Sequence, residues 1–437
     1  MAALRKRYVV PALVCACALI AAASFGQSPP IDSMRVVQIV VSGNHHTRDF
    51  VILREMKTKP GDILDPYKLE LDRLRVESLG LFTRVEALPV RTDQGLVVVI
   101  LVSERWYVFP VPILERHEKD WNKFSYGLGL RHMNLRGRNE QAGVAAWWGY
   151  NPGYQIVFTS PWLLGKGNTF ITFVVSRQRV RNLSPQFPRF EQEVAIFECM
   201  FGQRFGYHTY LGVSVGHRQV RVAPARSGAT ISEDGVDRAP QGGISLSYDT
   251  RDLTEYPRQG WWLAFTGRKV GMPGLVVNYF LWEVDARRYQ VLSGPLSLAL
   301  RASGSSSHGK VAAYDRLYLG YSQRIRGHFD QVAEGDSRVL LGAELRFTIV
   351  PVRYLNLEPA TQLIRDYGRN LKFGINGGLF CDAGSVWFRG SPQPRTWWRG
   401  VGAGLHFHLP YGYVLRAEYA LDEKLSGEVI LDLDVAF

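Results

Sequence analysis

The sequence predicts a mainly β fold, in which a 16-stranded antiparallel transmembrane β-barrel follows one small α/β domain of the order β-α-α-β-β. The first observation is a period-2 alternation of apolar and polar residues after about residue 105, interrupted by Gly, Pro and Asn turns. The second is a set of tryptophan pairs near predicted strand ends, as the aromatic girdles of a membrane barrel require. The pairs are Trp147-Trp148, Trp261-Trp262 and Trp397-Trp398. The third is an apolar stripe that continues to the last residue, Phe437.

The composition of the 437 residues excludes several classes of protein. After residue 26 no run of eighteen apolar residues occurs, whereas a membrane-spanning helix needs about 20. Hydrophobic residues make up 46% of the chain and no tract is of low complexity, so general disorder is excluded. The formal net charge is +12, but the basic residues are scattered. We therefore expect no nucleic-acid partner.

Residues 1–26 have the features of a secretory signal peptide that is removed from the mature protein. A basic start at Arg5–Arg7 precedes an apolar core from Val9 to Ala23, which ends in small residues suited to cleavage. Two of the four cysteines lie in this segment. The other two, Cys199 and Cys381, are too few for a disulfide framework and lie in separate strand-like runs.

Residues 34–104 form a separate predicted domain, because all 11 Trp residues lie after residue 105. Its predicted elements are a strand at Val36–Val41, a helix capped by Thr47 and running to about Met56, a helix starting at Asp65-Pro66, and a hairpin of Phe82–Pro89 with Leu96–Ser103.

This domain resembles a POTRA (polypeptide-transport-associated) domain over its whole length, most closely in the segment from Leu74 to Val85. Such a domain can offer an open sheet edge to which an extended peptide adds as another strand. We assign this peptide-binding edge to the strand that carries Val97, Val99 and Leu101. The alternative is a spacer or docking module that binds no substrate.

Residues 106–437 contain sixteen predicted strands, an even number as single-chain bacterial barrels require. The strands are Trp106–Glu115, Phe124–Met133, Gln141–Tyr150, Tyr154–Ser160, Asn168–Gln178, Phe190–Arg204, Tyr207–Gln219, Gly243–Asp249, Gly260–Lys269, Asn278–Val291, Leu296–Ser305, Arg338–Val350, Leu371–Trp387, Trp398–His408, Tyr413–Leu421 and Gly427–Phe437. The longest segment without a strand pattern, Ser306–Ser337, is by chain parity the sixth outward-side loop.

Charged residues in these strands lie on the face opposite the large apolar residues. Leu341 and Leu345 face one side of a strand, whereas Glu344 and Arg346 face the other. A soluble sandwich turns its apolar face inward, whereas a membrane barrel turns that face to lipid and its charges to the lumen. The tryptophan pairs and the terminal stripe favour the membrane barrel.

The motifs support no enzyme. Gly212–Gly216 matches the nucleophile elbow of serine hydrolases, but it lies inside an alternating strand, and that elbow needs a following helix. His406 and His408 share a strand face without an evident third ligand. We therefore expect no catalysis, no cofactor and no metal.

Five short motifs stand out in the barrel region. They are Phe124–Glu140, Tyr248–Asp252 with Tyr256-Pro257 and Gly260-Trp261, Gly320 with Ile325–Phe329, Phe380–Trp387, and Gly402–Tyr419. In this order they resemble the outer-membrane assembly superfamily of BamA- and TamA-like proteins (bacterial surface antigen type). The resemblance covers the chain from about residue 34 to its end. The sequence departs from the family at His328, where an aromatic or valine-type residue is usual, and at Glu418, where Asp is usual.

The resemblance implies an outer-membrane barrel that inserts or translocates polypeptides, with its POTRA-like domain in the periplasm of a Gram-negative-type bacterium. The implied partners are the outer-membrane lipid bilayer, unfolded or partly folded polypeptide substrates, and periplasmic accessory proteins. Two alternatives remain open. One is a passive or plugged channel whose POTRA-like domain only docks partners, and the other is a barrel that transfers lipid.

Pro110 and Pro112 lie two residues apart in the first predicted strand, so both missing N–H groups face the same edge. If that edge meets the final strand, which ends at Phe437, closure of the barrel lacks two donors. We therefore predict a weak lateral seam there. The alternative is that both prolines belong to a linker and that the strand begins near Ile113.

The sixth loop carries Arg326 and Gly327 in the segment that resembles the family's arginine-glycine motif. The loop is long enough to fold back into the lumen, and Gly327 lets its tip turn. The resemblance implies that Arg326 pairs with Asp382. An arginine can grip such a carboxylate with two parallel hydrogen bonds, and Glu344 and Glu418 are the competing partners.

Overall fold

The computed structural model describes residues 34–117, 122–163, 167–182, 184–225, 228–320, 325–328, 331–357, 368–392, 395–410 and 413–433. The predicted signal peptide at residues 1–26 and the predicted seam residue Phe437 lie outside these ranges. The elements of the first domain follow the predicted order. They are β1 (Val36–Ser42), α1 (Asp49–Leu53), α2 (Pro66–Glu77), β2 (Phe82–Thr92) and β3 (Gly95–Glu104).

The two helices begin in different ways. At α2, Asp65 Oδ1 accepts hydrogen bonds from two backbone N–H groups of the first turn, at 3.0 and 3.1 Å, and Pro66 stands where a missing N–H costs nothing. The predicted cap of α1 at Thr47 is wrong, because Arg48 is the N-cap and makes no side-chain cap bond. The Thr47 hydroxyl instead bonds the Tyr107 hydroxyl at 2.9 Å.

The three strands of the first domain are ordered β1-β3-β2. Strand β3 pairs in parallel with β1 and antiparallel with β2, so both of its edges are occupied. The predicted peptide-binding edge at Val97, Val99 and Leu101 is therefore wrong, because these residues lie on the central strand. The outer edges of the sheet are those of β1 and β2.

Sixteen antiparallel strands form the barrel sheet, which confirms the predicted fold class. They are β4 (Val108–Arg116), β5 (Phe124–Leu135), β6 (Glu140–Gly149), β7 (Gly153–Ser160), β8 (Thr169–Arg181), β9 (Glu191–Phe205), β10 (Thr209–Val222), β11 (Val236–Asp249), β12 (Gly260–Gly271), β13 (Asn278–Ser293), β14 (Leu296–Gly309), β17 (Ser337–Leu355), β18 (Leu371–Trp387), β19 (Trp398–Leu409), β20 (Tyr413–Asp422) and β21 (Gly427–Leu433). Residues 310–336 between β14 and β17 are called loop 6 below. This loop contains two short paired strands that the sequence did not reveal, β15 (Leu317–Leu319) and β16 (Ala333–Gly335).

The largest boundary difference is at β11, which begins at Val236 instead of the predicted Gly243. Pro240 lies in this extension, opposite His217 of β10. The ladder with β12 begins only at Gln241. Residues 236–240 therefore pair with β10 alone, and Pro240 is tolerated because the other edge is open there.

The side chains of the barrel strands alternate between lipid and lumen. On β17, Leu341 is 44% exposed, whereas Glu344 and Arg346 are each 1% exposed. Apolar residues outside and charges inside are the arrangement of a membrane barrel. Among the described residues, no helix combines the length and hydrophobicity needed to cross a bilayer.

The barrel sheet ends at β4 on one side and at β21 on the other, and no ladder joins these two strands within the described residues. Both Pro110 and Pro112 lie inside β4. The alternative in which the strand begins near Ile113 is therefore wrong.

The nitrogens of both prolines point to the free edge of β4. The β4–β5 ladder is flanked by two backbone hydrogen bonds of 2.8 Å, which join Tyr107 to Met133 and His117 to Lys123. Hydrogen-bonded pairs recur at every second residue of an antiparallel ladder. The odd-numbered residues of β4 therefore bond to β5, and the even-numbered ones, including both prolines, face away from it.

The first domain contacts the mouth of the barrel that lies opposite loop 6, here called the domain-side mouth. Glu55 accepts two hydrogen bonds from Arg204 of β9, at 2.6 and 2.7 Å. Glu77 of α2 accepts one from Lys372 of β18 at 3.2 Å. All four side chains are at most 10% exposed, so two buried ion pairs hold the domain at separate parts of the rim.

Candidate functional site: a buried arginine cluster in the lumen

Loop 6 turns inside the lumen at Gly327. The φ angle of this residue is +97°, and a Cβ atom there would lie 3.1 Å from the backbone of residues 421–422. Glycine adopts such a conformation without steric cost. The Gly327 N–H donates to Glu428 Oε2 at 3.1 Å, which ties the turn to β21.

Arg326 binds three carboxylates at once. Its Nε and Nη2 donate to the two oxygens of Asp382, at 2.7 and 2.9 Å. Its Nη1 donates to Glu344 at 2.8 Å and to Glu418 at 3.0 Å. The guanidinium carbon lies 3.6 Å from the centre of the Phe380 ring, and the residue is 4% exposed. The three carboxylates, which the sequence presented as competitors, thus share one arginine.

A glycine of the wall provides the space for this contact. Asp382 of β18 lies opposite Gly342 of β17 and Gly400 of β19. A Cβ atom at Gly400 would overlap the carbonyl oxygen of Arg326. The loop backbone can therefore approach the wall only because this position lacks a side chain.

His328, one of the departures from the family pattern, keeps a flat ring against the wall. It stacks on Trp398 with 5.2 Å between ring centres and 10° between ring planes. Its Nε2 lies 2.9 Å from the Arg399 carbonyl oxygen and 2.8 Å from Glu423 Oε2. The ring thus holds the loop tip to β19 and to the turn after β20.

Two further arginines balance the charge of the cluster. Arg346 donates to Glu344 at 2.7 Å, and Arg416 donates to Glu418 at 3.0 Å. With Arg326 and Asp382, three guanidinium groups face three carboxylates. Charges buried this deeply persist only when they are paired and hydrogen-bonded.

His406 lies beside this cluster, where Glu344, His406 and Glu418 place three potential metal-ligand atoms within 4.8 Å of one another. The sequence had offered His406 and His408 without a third ligand. Both carboxylates already bind guanidinium groups, so a divalent cation would meet three positive charges. The arrangement is better suited to ion pairs than to a metal.

His406 also links the cluster to the domain-side connection between β11 and β12. Its Nδ1 lies 2.8 Å from the Tyr256 hydroxyl, and its Nε2 lies 3.5 Å from Glu418 Oε1. Burial raises the pKa of Tyr256, so this hydroxyl keeps its proton and is available to donate it to Nδ1.

Glu255, the neighbour of Tyr256, continues the path to the first domain. It lies 3.5 Å from His408 Nδ1 and accepts from Lys372 at 3.0 Å. The same Lys372 nitrogen contacts Glu77 of α2. Burial by itself would raise the pKa of Glu255, but His408 and Lys372 outweigh it and hold the pKa below its ordinary value. Polar contacts therefore run from loop 6 to the first domain.

The other predicted site residues lie away from this cluster. Pro110 and Pro112 are on the free edge of β4, Val97, Val99 and Leu101 are on the central strand of the first domain, and Phe437 is outside the described residues. The sequence analysis missed the roles of Arg346, Arg416, Tyr256 and His406. A signal existed for the two arginines, because each lies two residues from a glutamate on the same inward face.

Replacing Arg326 with Ala should loosen loop 6 more than replacing Asp382 with Ala. The first change leaves three buried carboxylates without their shared cation, which costs about 3–5 kcal/mol. The second leaves Arg326 with Glu344 and Glu418. The measurement is the rate at which a protease cuts loop 6 in the folded protein.

Two further variants sharpen this test. Arg326→Lys keeps the charge but loses the two parallel hydrogen bonds, so its cutting rate should lie between those of wild type and Arg326→Ala. The double change Arg326→Ala with Asp382→Ala should be no worse than Arg326→Ala alone. Additive effects would mean that the two residues are not partners.

Replacing Tyr256 with Phe should also loosen loop 6, although Tyr256 lies near the domain-side mouth. The change removes only the hydroxyl that orients His406, which is worth about 0.5–1.5 kcal/mol or roughly a 2- to 10-fold change in cutting rate. Tyr207→Phe is the control, because it loses a similar bond to the Met56 carbonyl oxygen, 2.8 Å long, at the domain interface. Equal cutting of Tyr256→Phe and wild type would contradict the link.

Comparison with known proteins places this architecture in a family. Residues 134–425 match the Omp85 superfamily domain, and residues 34–105 match the POTRA domain described as the surface antigen variable number repeat. The outer membrane protein assembly factor BamA of Nitratidesulfovibrio vulgaris is 23% identical over 407 residues, which cover 90% of this chain and 49% of that protein. The chain thus spans about half the length of this curated relative.

Solved structures share the fold at low sequence identity. BamA from Haemophilus ducreyi lacking POTRA domains 1-3 has a TM-score of 0.53 at 16% identity, over 92% of this chain and 83% of that one. CdiB from Escherichia coli has a TM-score of 0.59 at 14% identity, over 92% of this chain and 75% of that one. Because the superfamily match covers more than half of the chain, the protein belongs to the Omp85 superfamily, as an outer-membrane β-barrel whose POTRA domain faces the periplasm.

Proposed function

We propose that this protein inserts or translocates polypeptides at the outer membrane through a lateral opening between β4 and β21. The observation that carries the proposal is the free edge of β4, to which Pro110 and Pro112 turn their nitrogens. The other neighbouring strands of the sheet are joined by ladders, so this is the weakest place in the described wall. A substrate segment in extended form would add to such an edge as a strand.

The edge of the POTRA domain that receives the polypeptide is β1 in this proposal. The sequence of β1, VVQIVVS, contains no proline, whereas β2 contains Pro89. From Gln38 onward, no described strand pairs with the outer side of β1. An unpaired strand of this kind is a template for another chain. The relative named as an outer membrane protein assembly factor supports a polypeptide as the cargo.

A plugged channel is the second candidate, and the arginine cluster favours it. Arg326, Glu344 and Glu418 are 4%, 1% and 2% exposed, so loop 6 closes this part of the lumen. The POTRA domain would then only dock partners. Neither candidate involves a chemical step. The Gly212–Gly216 motif lies inside β10, without the turn that a nucleophile elbow needs, so we propose no catalysis.

Crosslinking from β1 in living cells should capture unfolded outer-membrane polypeptides. A photo-reactive residue at Gln38 or Val40 would lie against the added strand. The control position is Val99 of β3, which should capture none because both edges of that strand are paired. Capture of one folded partner at β1, without unfolded polypeptides, would instead support the plugged channel.

A disulfide across the seam should abolish function while the barrel stays folded. Leu114 of β4 and Val429 of β21 are 75% and 73% exposed, so cysteines at these positions would both face lipid. The native Cys199 and Cys381 are first replaced by Ser, which leaves the engineered pair alone. The measurement is activity in cells before and after reduction, and reduction should restore it. Full activity in the locked form would rule out the lateral opening.

A further inference from the structure

Loop 6 is attached to the barrel wall at a second buried point, Asp315. This residue ends a short 3-10 helix, Ala313–Asp315. Both of its carboxylate oxygens accept from Arg218 Nη1 of β10, at 2.6 and 2.7 Å. One of them also accepts from the Tyr279 hydroxyl of β13 at 2.5 Å. The side chains of Arg218 and Asp315 are only 10% and 7% exposed, so the pair is largely withdrawn from water.

Neighbouring contacts fix the same turn of the loop to the same part of the wall. The Tyr314 hydroxyl donates to Asp237 of β11 at 2.7 Å. The guanidinium carbon of Arg218 lies 5.3 Å from the centre of the Tyr314 ring. Arg268 of β12 adds a second cation, 3.8 Å from Asp315. This part of loop 6 is therefore bound to all four strands from β10 to β13.

The described segments between Asp315 and Arg326 are folded rather than slack. Strand β15 pairs with β16, and Arg316 donates to Glu334 of β16 at 2.8 Å. Leu319 and Ile325 pack in one buried cluster with Leu340 of β17. A displacement of the loop at one buried ion pair would therefore also displace the loop at the other, because packed residues lie between them.

The two attachments have opposite polarity. At Asp315 the loop supplies the anion and the wall the cation, whereas at Arg326 the loop supplies the cation and the wall the anions. The first contacts β10–β13 and the second contacts β17, β18 and β20. We propose that loop 6 is a strap with two anchors, Asp315 and Arg326, and that each ion pair separately slows the release of the loop from the lumen. The importance of this strap for transport rests on the function proposed above.

The two ion pairs of loop 6 are suited to an attachment that can be broken when the loop leaves the lumen. A buried ion pair is seldom more stabilising than apolar side chains of the same volume, so stability alone does not explain charged residues here. Burial by itself would raise the pKa of Asp315, but Arg218 outweighs it and the pKa is lowered. The carboxylate therefore stays charged and needs its cation. Water or a charged substrate segment can replace such a partner, which is not true of an apolar contact.

The test is the protease cutting of loop 6 in the purified full chain, folded in detergent. Asp315→Leu and Arg218→Met should each raise the cutting rate by roughly 10-fold or more, because each leaves one buried charge without its main partner. The double variant should cut more slowly than either single variant, since neither charge of the pair remains. Combining Asp315→Asn with Arg326→Ala should release the loop more than either change alone.

Controls separate the strap from general damage. Asp234→Asn removes an exposed ion pair with Arg238 on the same side of the barrel, 61% and 54% exposed, and should leave the cutting rate unchanged. Migration of unheated protein on gels reports whether each barrel is folded, and Asp315→Asn replaces Asp315→Leu if the latter does not fold. Single variants that cut like wild type, or a double variant that equals the sum of the singles, would overturn the strap.

This experiment does not depend on what the barrel transports. Unchanged protease protection would overturn the strap and leave the proposed function standing. Failure to capture polypeptides at β1 would overturn the proposed function and leave the strap standing.

Discussion

The arrangement of the lumen depends on one constraint, which is that Arg326 cannot be buried without anions around it. Three strands that are distant in sequence each supply a carboxylate, and the registers of β17, β18 and β20 must bring them to one height. The glycine at position 400, opposite Asp382, follows from the same need, since the loop backbone has to come close for the guanidinium to reach. One buried charge thus fixes strand register, small residues and loop conformation together.

The polar contacts around Arg326 continue toward the periplasmic end of the barrel. Glu418 is shared between Arg326, Arg416 and the ring of His406, and the orientation of that ring depends on Tyr256. Tyr256 lies in the connection that also carries Glu255, whose contact with Lys372 reaches α2 of the POTRA domain. The β11–β12 connection therefore lies between the two, in contact with the arginine cluster through His406 and with the POTRA domain through Lys372. A movement of the domain that displaced Glu255 would disturb the setting of His406, and through it the anion partners of Arg326.

Much of the fold could be predicted because a barrel wall has a strict period of two, and the inverted placement of charged and apolar residues on β17 is visible in the sequence. Pairing partners could not be predicted, because alternation shows which face a residue occupies but not which strand lies beside it. The edge assigned to Val97, Val99 and Leu101 failed for this reason, since the parallel pairing of β1 with β3 leaves no local signal. The prediction that Asp382, Glu344 and Glu418 compete for Arg326 was incomplete for the same reason. All three were known to face inward, but only the register shows that they meet around one arginine.

The surrounding membrane changes the energetic effect of the two prolines of β4. An unpaired backbone N–H in hydrocarbon costs several kcal/mol, so an open edge is expensive in a bilayer. Pro110 and Pro112 have no N–H to leave unpaired, and both are turned to the edge that β5 does not use. In the proposed lateral opening, they would weaken the closed seam by removing donors, and they would also make the open seam less costly. Both effects would favour the proposed opening at β4, on a barrel whose loop 6 is held by buried ion pairs at Asp315 and Arg326. In the proposed function, a polypeptide strand would enter the wall at this edge, which is the one place between neighbouring barrel strands where the described residues form no ladder.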